Sequence, residues 1–459
     1  MYNPFDCEFN DLATENLIKL KSVNEGWYIE YKRGMVSASS IAKSIASFAN
    51  TYGGYLFYGI KEESKENSHA AEFPGIDRES IDSALQSIRQ AAANLVEPSP
   101  HFDVKVLWGA CDSIGLLENR AIICVRVPFS SNCPHIHKSG LIYRRVADGS
   151  EPKPENDRFI LDNLWKRGEA NREFIRSWIE NLPSLLKEND LNSYIRVLLS
   201  PDISAKYDVE NSLSLKKIRS ILNGTNIRVS NTPMDSIYTF GSGFIGRQIL
   251  QNDPFSMTYT WILYNDLRAE IIIPLKCIKN KNVNIIKNKL MRYSFSEKYI
   301  NILKKYSFNI YNIIDLNYLI GAMLSVSDNY SKILSENNTI NGYYAKFQIL
   351  NCWKAIPFID VEGIISEFEN HGLPVCIYNN DIIPAGTNPE SFFQVSNKTP
   401  SDDNKQLIHD HAIIMFWVIC AGLGISNLIE DVDRGGNNYR DLLKAASRAE
   451  GVSGLEELE

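Results

Sequence analysis

A glycine pair, Gly53-Gly54, separates a helical pattern from a strongly apolar strand and constrains the fold of the first part of the chain. Residues 37–50 have helical spacing, with serines at the start that can cap the helix. The strand YLFYGI follows the pair directly. Because glycine adopts positive φ freely, the pair lets a helix end and a strand begin within two residues. We predict an architectural role for this turn, with nucleotide binding there as a weaker hypothesis.

The bulk properties indicate an ordinary globular protein of two to three domains. The chain has 459 residues and a formal net charge of −7, so nucleic acid could be bound only through a local basic face. Its eight cysteines include no CxxC pair, which argues against a zinc ribbon or a disulfide scaffold and favours a reducing, cytoplasmic location. No signal peptide is visible. The longest apolar run, residues 413–425, is too short to cross a bilayer, so we expect no membrane partner.

The order of helical and strand patterns predicts three regions. Residues 1–168 read as an α/β domain with one mixed sheet, residues 169–278 as a helix plus a strand-rich domain, and residues 279–459 as a mainly helical region. The C-terminal part as a whole is predicted to be α+β, with a polar, loose tail after Asp431. The GxGxxG pattern at residues 241–246 is predicted to be a hairpin turn, because no room for the required helix follows it.

Acidic residues flank the two strand patterns on either side of the glycine pair. Glu30 and Lys32 share one face of the strand YIEYK, Glu25 precedes that strand, and Glu62 follows the strand YLFYGI. If the strands are neighbours, three carboxylates and a lysine can converge and hold Mg²⁺ or Mn²⁺. Such a cation activates water and polarises a phosphodiester, while Lys32 would stabilise the developing charge. The alternative is structural: Glu30 and Lys32 form an ion pair, and the other carboxylates are solvated.

Several spaced segments carry a family resemblance. NEGWYIEYKRG, SIASFANTYGGYLFYGI, Pro134-His135 and residues 142–150 resemble the Schlafen AlbA_2 domain, and the similarity covers roughly residues 12–165. The resemblance implies a mixed-sheet AlbA_2-like N-terminal domain that handles nucleic acid. In nuclease-active members it implies a three-carboxylate metal site, which Glu25, Glu30 and Glu62 would form here. Lys61 stands where many relatives have an acidic residue, and Glu62 follows one position later.

Basic residues cluster near the end of the resembling region. We predict that Arg33, Lys138, Arg144 and Arg145 contact the phosphate backbone. The helix predicted at residues 157–180 is also basic, and its charges are either part of that surface or a solvated helix face paired with neighbouring acids.

These patterns leave two main hypotheses. The first is a Schlafen-like, divalent-metal-dependent endoribonuclease that acts on structured, tRNA-like RNA in stress or phage defence. The second is a non-catalytic DNA-binding regulator with a C-terminal sensing region. Since Schlafen-like cores often use two related lobes and one is visible here, a homo-oligomer is a further hypothesis. Convergence of Glu25, Glu30 and Glu62 would favour the enzyme.

Overall fold

The computed structural model describes most of the chain as two compact units, with the division after Ser177. Helices and mixed sheets occur in both, which confirms the predicted α/β fold class. The described residues are 2–7, 9–64, 67–146, 151–182, 192–201, 213–223, 234–241, 243–250, 257–335, 343–377, 379–384, 393–395, 404–425 and 437–450.

Unit 1 consists of short and long strands, three α-helices and short 3-10 helices. The 3-10 helices are Phe9–Asp11, Thr14–Ser22 and Arg78–Ser80. The strands are β1 (Ile29–Lys32), β2 (Gly54–Tyr58), β3 (Lys61–Glu62), β4 (Ala70–Glu72), β5 (Ile76–Asp77), β6 (Val96–Glu97), β7 (Asp103–Trp108), β8 (Arg120–Val127), β9 (Ile136–His137), β10 (Tyr143–Arg144) and β11 (Lys153–Pro154). The α-helices are α1 (Ala38–Asn50), α2 (Ile81–Leu95) and α3 (Arg158–Glu180), and the division between the units falls within α3.

A five-stranded mixed sheet organises unit 1. β1 and β2 are parallel and are joined by α1, whereas β8 pairs antiparallel with β2, β5 and β7. Because successive strand residues face opposite sides, β2 contributes to two cores. Leu56 and Tyr58 pack towards α1 and α2, and Tyr55 and Phe57 pack against the N-terminal 3-10 helices. The sheet is therefore covered on both faces.

The turn at the glycine pair is architectural, as predicted. Ser37 caps α1, because its hydroxyl accepts a hydrogen bond from the backbone NH of Ser40 at 3.3 Å. Gly53 has a φ of 74°, in the region that favours glycine. A Cβ on Gly54 would lie 2.4 Å from the Tyr28 carbonyl oxygen and 2.6 Å from the Phe48 ring. The close packing at Gly54, together with the hydrogen bonds that the Gly53 and Tyr55 NH groups donate to the Phe48 and Tyr28 carbonyl oxygens, gives this turn an architectural role.

Unit 2 contains the remaining described elements. Its strands are β12 (Tyr194–Ser200), β13 (Ser236–Phe240), β14 (Gly243–Arg247), β15 (Thr260–Tyr264), β16 (Ala269–Pro274), β17 (Lys276–Asn280), β18 (Tyr311–Asp315), β19 (Tyr343–Leu350), β20 (Ile356–Phe358) and β21 (Phe393–Val395). Its helices are α4 (Leu215–Leu222), α5 (Val283–Leu290), α6 (Ser296–Tyr306), α7 (Leu319–Ser335), α8 (Glu362–His371), α9 (Asn404–Gly422) and α10 (Asn437–Glu450).

Two sheets form the framework of unit 2. The larger is antiparallel, with seven strands in the order β13-β14-β15-β16-β12-β19-β21. The smaller has the order β17-β18-β20, and only the β18–β20 pair in it is parallel. The predicted division after residue 278 falls inside this unit, because β12 pairs with both β16 and β19.

A buried arginine links the strands at the centre of the larger sheet. Arg196 on β12 lies 2.6 Å from Glu270 on β16 and donates to the Gln348 side chain on β19 at 2.8 Å. It also donates to the carbonyl oxygens of Trp178 and Ile179, near the end of α3, at 2.8 and 2.6 Å. The guanidinium thus finds acceptors on all sides, which is what burial of an arginine requires.

The structure bears on two further predictions for this half of the chain. The GxGxxG pattern is part of the β13–β14 hairpin, as predicted. The expectation of a loose tail after Asp431 was wrong for α10, which buries Tyr439, Leu442 and Ala446. Among the described helices, none combines the length and apolar character that a bilayer crossing needs.

Candidate functional site

The β1–α1–β2 unit positions the first pair of predicted site residues. β1 pairs with β2 in parallel, with Glu30 opposite Leu56 and Lys32 opposite Tyr58. Glu30 and Lys32 therefore lie on the face of the sheet that α1 covers. Ser44 of α1 donates its hydroxyl to a carboxylate oxygen of Glu30 at 2.9 Å. The predicted shared face of Glu30 and Lys32 is thus present, although it is buried under a helix.

Glu30 is saturated by protein donors. It is fully buried, and its Oε1 accepts from Ser44 and lies 2.9 Å from Lys32 Nζ. Its Oε2 accepts from Arg145 Nη1 at 2.9 Å. A carboxylate with these partners is stabilised as an anion without a metal. Glu30 therefore forms the structural ion pair with Lys32 that was the alternative to a metal-binding role.

Arg145 is not available to nucleic acid, and the prediction that it contacts phosphate was wrong. Its side chain is fully buried and donates to the Gly26 carbonyl oxygen from both Nε, at 2.9 Å, and Nη2, at 2.7 Å. Its guanidinium also lies over the Phe48 ring, 4.8 Å from the ring centroid. Arg145 thus ties the segment after β10 to the start of β1.

The second pair of predicted site residues, Glu25 and Glu62, comes together beside the β3–β4 hairpin. The backbone NH of Glu25 donates to the Ser68 carbonyl oxygen at 3.1 Å, next to a bridge between Asn24 and His69. Glu62 is on β3, where the pairing with β4 shifts register between Lys61 and Glu62. Such an irregularity re-aims a side chain. It explains how an acid one position after Lys61 can still reach the cluster.

Glu25 is partly buried, and the charges of the other two glutamates act on its carboxyl group. Burial, together with the charges of Glu62 and Glu30, raises the pKa of Glu25 to about 8, against the opposing effects of the Tyr31 NH and Lys32. One Glu25 oxygen, Oε1, accepts a short hydrogen bond from that NH. Burial and the neighbouring carboxylates therefore favour the neutral form of the Glu25 carboxyl.

Glu62 has the feature expected of a ligand that lacks its partner. Its Oε2 is buried and has no hydrogen-bond partner among the described residues. A buried carboxylate oxygen in this state is destabilising unless a cation or a proton compensates it. Together with the raised pKa of Glu25, this fits a divalent cation, whose preferred ligands are oxygens.

The predicted three-carboxylate metal group is absent from the part of the chain that the structure describes, where no three His, Cys, Asp or Glu side chains form a metal-binding group. Mg²⁺, however, is commonly held by one or two carboxylates together with water and substrate phosphate. The residues present therefore fit a site made by Glu25 and Glu62, with Glu30 outside it.

Lys32 provides the positive charge of the cluster. Its Nζ lies 2.9 Å from Glu30, and its side chain retains 23% exposure. Burial opposes the ammonium charge, but Glu30 and Glu25 outweigh this effect and raise the pKa of Lys32. Lys32 is therefore a protonated, partly accessible cation that pairs with Glu30 and is influenced by Glu25.

The basic residues that were predicted to contact phosphate differ in their exposure. Arg33 and Lys138 are exposed and accessible to phosphate. Arg144 is partly buried and its Nη1 lies 2.6 Å from Glu155, so its charge is paired within the domain. Arg167, in the basic helix α3, donates instead to the Asn50 carbonyl oxygen at 3.0 Å, at the end of α1.

Two residues near the cluster were not anticipated. Ser44 donates to Glu30, and the buried hydroxyl of Tyr58 has no hydrogen-bond partner among the described residues. Burial, and then the nearby charge of Glu30, raises the pKa of Tyr58. The polar Ser44 in the apolar stripe of α1 was a visible signal, whereas nothing in the strand YLFYGI distinguishes Tyr58.

Comparisons with known proteins bear on this domain. Residues 25–154 match the family model described as Schlafen, AlbA_2. No curated protein matches the chain significantly. Among solved structures, the chain is similar to the DIP2311 protein from Corynebacterium diphtheriae, with 17% identity and a TM-score of 0.21. That similarity covers 37% of this chain and 39% of the other, so it spans less than half of either protein.

The family match includes the residues of the cluster described above, from Glu25 through β1, α1 and β2 to Glu62, and it also includes Arg145. Domains of this family generally bind nucleic acid. Residues 25–154 therefore form a Schlafen AlbA_2 domain, a member of a nucleic-acid-binding family.

Proposed function

We propose that this AlbA_2 domain is a divalent-metal-dependent endoribonuclease that acts on structured, tRNA-like RNA. The observation that carries the proposal is the buried Oε2 of Glu62, which has no hydrogen-bond partner among the described residues and whose carboxyl group acts electrostatically on the partly buried Glu25. Partly buried carboxyl groups such as those of Glu25 and Glu62 lower the stability of the folded protein, and such a cost is typical of functional sites. Their presence next to an accessible lysine is better explained by a function than by packing.

Each residue of the cluster has a separate task in this proposal. Glu25 and Glu62 hold Mg²⁺ or Mn²⁺, which when bound lowers the pKa of water and polarises the phosphodiester. Lys32 places its ammonium group beside the phosphate and stabilises the charge that develops there. Glu30 is a positioning residue, because its 2.9 Å contact fixes the Lys32 Nζ. Arg33 and Lys138 are the exposed cations that hold the RNA backbone.

The test is cleavage of total tRNA by the full-length protein with and without Mn²⁺. Glu25→Gln and Glu62→Gln should abolish cutting, and Lys32→Ala should reduce it by roughly 10²-fold or more. The matched control is Glu63→Gln, because Glu63 follows Glu62 directly and its side chain is 52% exposed. Equal cutting by all variants would show that the activity comes from another site or a contaminant.

A second readout separates metal binding from catalysis. Mn²⁺ should raise the melting temperature of the wild-type protein and of Glu63→Gln, because a ligand that binds only the folded state stabilises it. It should leave Glu25→Gln and Glu62→Gln unchanged. Equal stabilisation of all four proteins by Mn²⁺ would contradict the proposal that Glu25 and Glu62 bind the cation.

A non-catalytic DNA-binding regulator is the second candidate, and the saturated carboxylate of Glu30 favours it. In that case Glu25→Gln and Glu62→Gln would bind DNA as the wild type does, and no RNA would be cut with any divalent cation.

The first proposal has three further parts. They are a role in stress or phage defence, a cytoplasmic location, and a homo-oligomer that supplies a second lobe. Light scattering that shows a strict monomer at assay concentration would contradict the last of these.

A further inference from the structure

Four aromatic side chains form a cluster on unit 1 beside the start of β1, and the proposed function does not use them. Tyr2 stacks on Tyr28, with 4.9 Å between the ring centroids and 27° between the ring planes. Tyr52 pairs with both Trp27 and Tyr28, at centroid separations of 5.5 and 6.1 Å. Tyr2 and Tyr52 are 41% and 50% exposed. These four residues, which we call the aromatic surface, are a patch of the kind that marks an interaction site.

The buried Arg145 fixes the two backbone segments that carry the aromatic surface. Its guanidinium donates to the Gly26 carbonyl oxygen from both Nε and Nη2, and Trp27 is the next residue. The backbone NH of Arg145 donates to the Thr51 hydroxyl at 3.0 Å, and Tyr52 is the next residue. Because both segments are held before any ligand binds, the rings lose little conformational freedom on binding.

The aromatic surface lies at one end of β1, and Lys32 lies at the other. Trp27 and Tyr28 directly precede the strand, which begins at Ile29 and ends at Lys32. Because a strand rises by roughly 3.3 Å per residue, its two ends are about 10 Å apart. A single strand of a few nucleotides can therefore place a phosphate at Lys32 and a base at the aromatic rings. The inference below rests on the proposed function, because it takes RNA as the ligand.

We propose that the aromatic surface binds an unpaired nucleobase of the RNA by stacking, next to the site of cleavage. Exposed tyrosine and tryptophan rings are the groups on which the unstacked bases of single-stranded RNA bind. Two observations favour RNA over a protein partner. Domains of this family generally bind nucleic acid. In addition, β1 ends in the partly accessible Lys32 and is followed by the exposed Arg33, and both attract an anionic backbone.

The experiment is a fluorescence-anisotropy titration of the full-length protein with a labelled single-stranded oligoribonucleotide. A chelator in the buffer prevents metal-dependent cutting. The comparison strand has the same length but consists of abasic tetrahydrofuran units, so it keeps the phosphates and lacks the bases. The wild type should bind the strand with bases about fivefold to hundredfold more tightly, which is the contribution of one stacked base. Tyr52→Leu and Trp27→Leu should lose most of this preference, whereas Tyr52→Phe, which keeps the ring, should retain it.

The matched control is Trp108→Leu, because Trp108 is 45% exposed and lies on β7, whose partner strand is β8. Equal binding of the two strands by the wild type, no RNA binding at all, or an equal loss in Trp108→Leu or Tyr52→Phe would overturn the proposal. A changed oligomeric state of Tyr52→Leu with unchanged RNA binding would overturn it too, in favour of a contact between two copies. A base preference without any Mn²⁺-dependent cutting would contradict the nuclease proposal alone.

Discussion

Arg145 and Glu30 are both fully buried, and the 2.9 Å ion pair between them joins the end of the AlbA_2 domain to its first strand. The two residues are 115 positions apart in the sequence. Each is satisfied by further partners, Ser44 and Lys32 for the carboxylate and the Gly26 carbonyl for the guanidinium. A buried pair of this kind is destabilising when one partner is removed, because the other charge remains without compensation.

Glu30→Gln should therefore destabilise the protein by about 3–5 kcal/mol, because it leaves the buried Arg145 guanidinium uncompensated. The midpoint of urea-induced unfolding, followed by tryptophan fluorescence, measures the effect. Glu72→Gln is the control, since Glu72 pairs with Lys61 at 2.6 Å on the surface and should be nearly neutral. Similar shifts for the two variants would contradict the structural importance of the buried pair.

Glu62→Gln should stabilise the protein in the absence of divalent cations. The substitution removes the carboxylate whose buried Oε2 has no partner among the described residues and whose charge helps to raise the pKa of Glu25. We expect a gain of roughly 0.5–2 kcal/mol, as is common when a functional site is relaxed. Thermal melting in buffer with a chelator measures it. A loss of stability in that buffer would show that Glu62 has a structural partner instead.

Arg167→Ala should destabilise unit 1 by about 1–3 kcal/mol, because it leaves carbonyl oxygens at the end of α1 without their donor. Arg167 donates to the Asn50 carbonyl oxygen at 3.0 Å and lies over the Phe129 ring, 4.2 Å from the ring centroid. Arg167→Lys should recover part of the loss, since lysine keeps the charge but not the planar fork. Lys166→Ala, at the exposed neighbouring position, is the control in the same urea titration.

His135 should make the protein sensitive to acid. Burial lowers the pKa of His135 to about 4, with the Pro98 carbonyl opposing the shift and Arg167 adding to it. Between about pH 6.5 and pH 4 the unfolded chain binds a proton at this position that the folded chain does not. The free energy of unfolding should therefore decrease by about 3 kcal/mol as the pH falls through this window.

His135→Asn tests this assignment, because an amide can replace the ring Nδ1 that lies 2.6 Å from the Pro98 carbonyl oxygen but does not titrate. Urea midpoints at about pH 7 and about pH 4.5 should differ much less for the variant than for the wild type. An unchanged difference would mean that the acid sensitivity arises from other groups.

The local parts of the fold could be predicted from the sequence. The capped helix α1, the turn at Gly53 and the alternation of Glu30 and Lys32 on β1 each depend on residues that are neighbours in the chain. Helix and strand periodicity and the conformational freedom of glycine are sufficient for such elements. The parallel pairing of β1 and β2 does not by itself bring Glu25 to Glu62, because Glu25 precedes β1 and Glu62 follows β2. Their approach depends on the bridge between Asn24 and His69 and on the short hydrogen bond from the Tyr31 NH to Glu25.

The burial of Arg144 and Arg145 could not be predicted in the same way. Arginine is rarely buried, and the sequence around these residues has the basic character typical of a phosphate-binding surface. Their partners, Glu155 and Glu30, are distinguished only by the folded structure. The orientation of Glu62 depends likewise on a register shift between β3 and β4, which residues on both strands determine together.

Helix α10 shows a different reason for an incorrect prediction. Leu442, Ala445, Ala446 and Ala449 are all buried and have helical spacing, so the pattern was visible. Three of these four residues are alanines, which contribute little to an apolar stripe when it is judged by hydrophobicity alone. The surrounding polar residues therefore made the segment resemble a solvated tail.

The contact between Arg167 and the end of α1 has a consequence for dissecting this protein. The similarity to other AlbA_2 domains ends at residue 154, whereas a donor that completes the central helix lies thirteen positions further on. A recombinant fragment that ends at residue 154 would retain every carboxylate of the cluster. It would lack Arg167, and the Asn50 carbonyl oxygen at the end of α1 would lose this donor. The boundary of the sequence similarity therefore differs from the boundary of a stably folded unit. A fragment for study should extend through the part of α3 that contains Arg167.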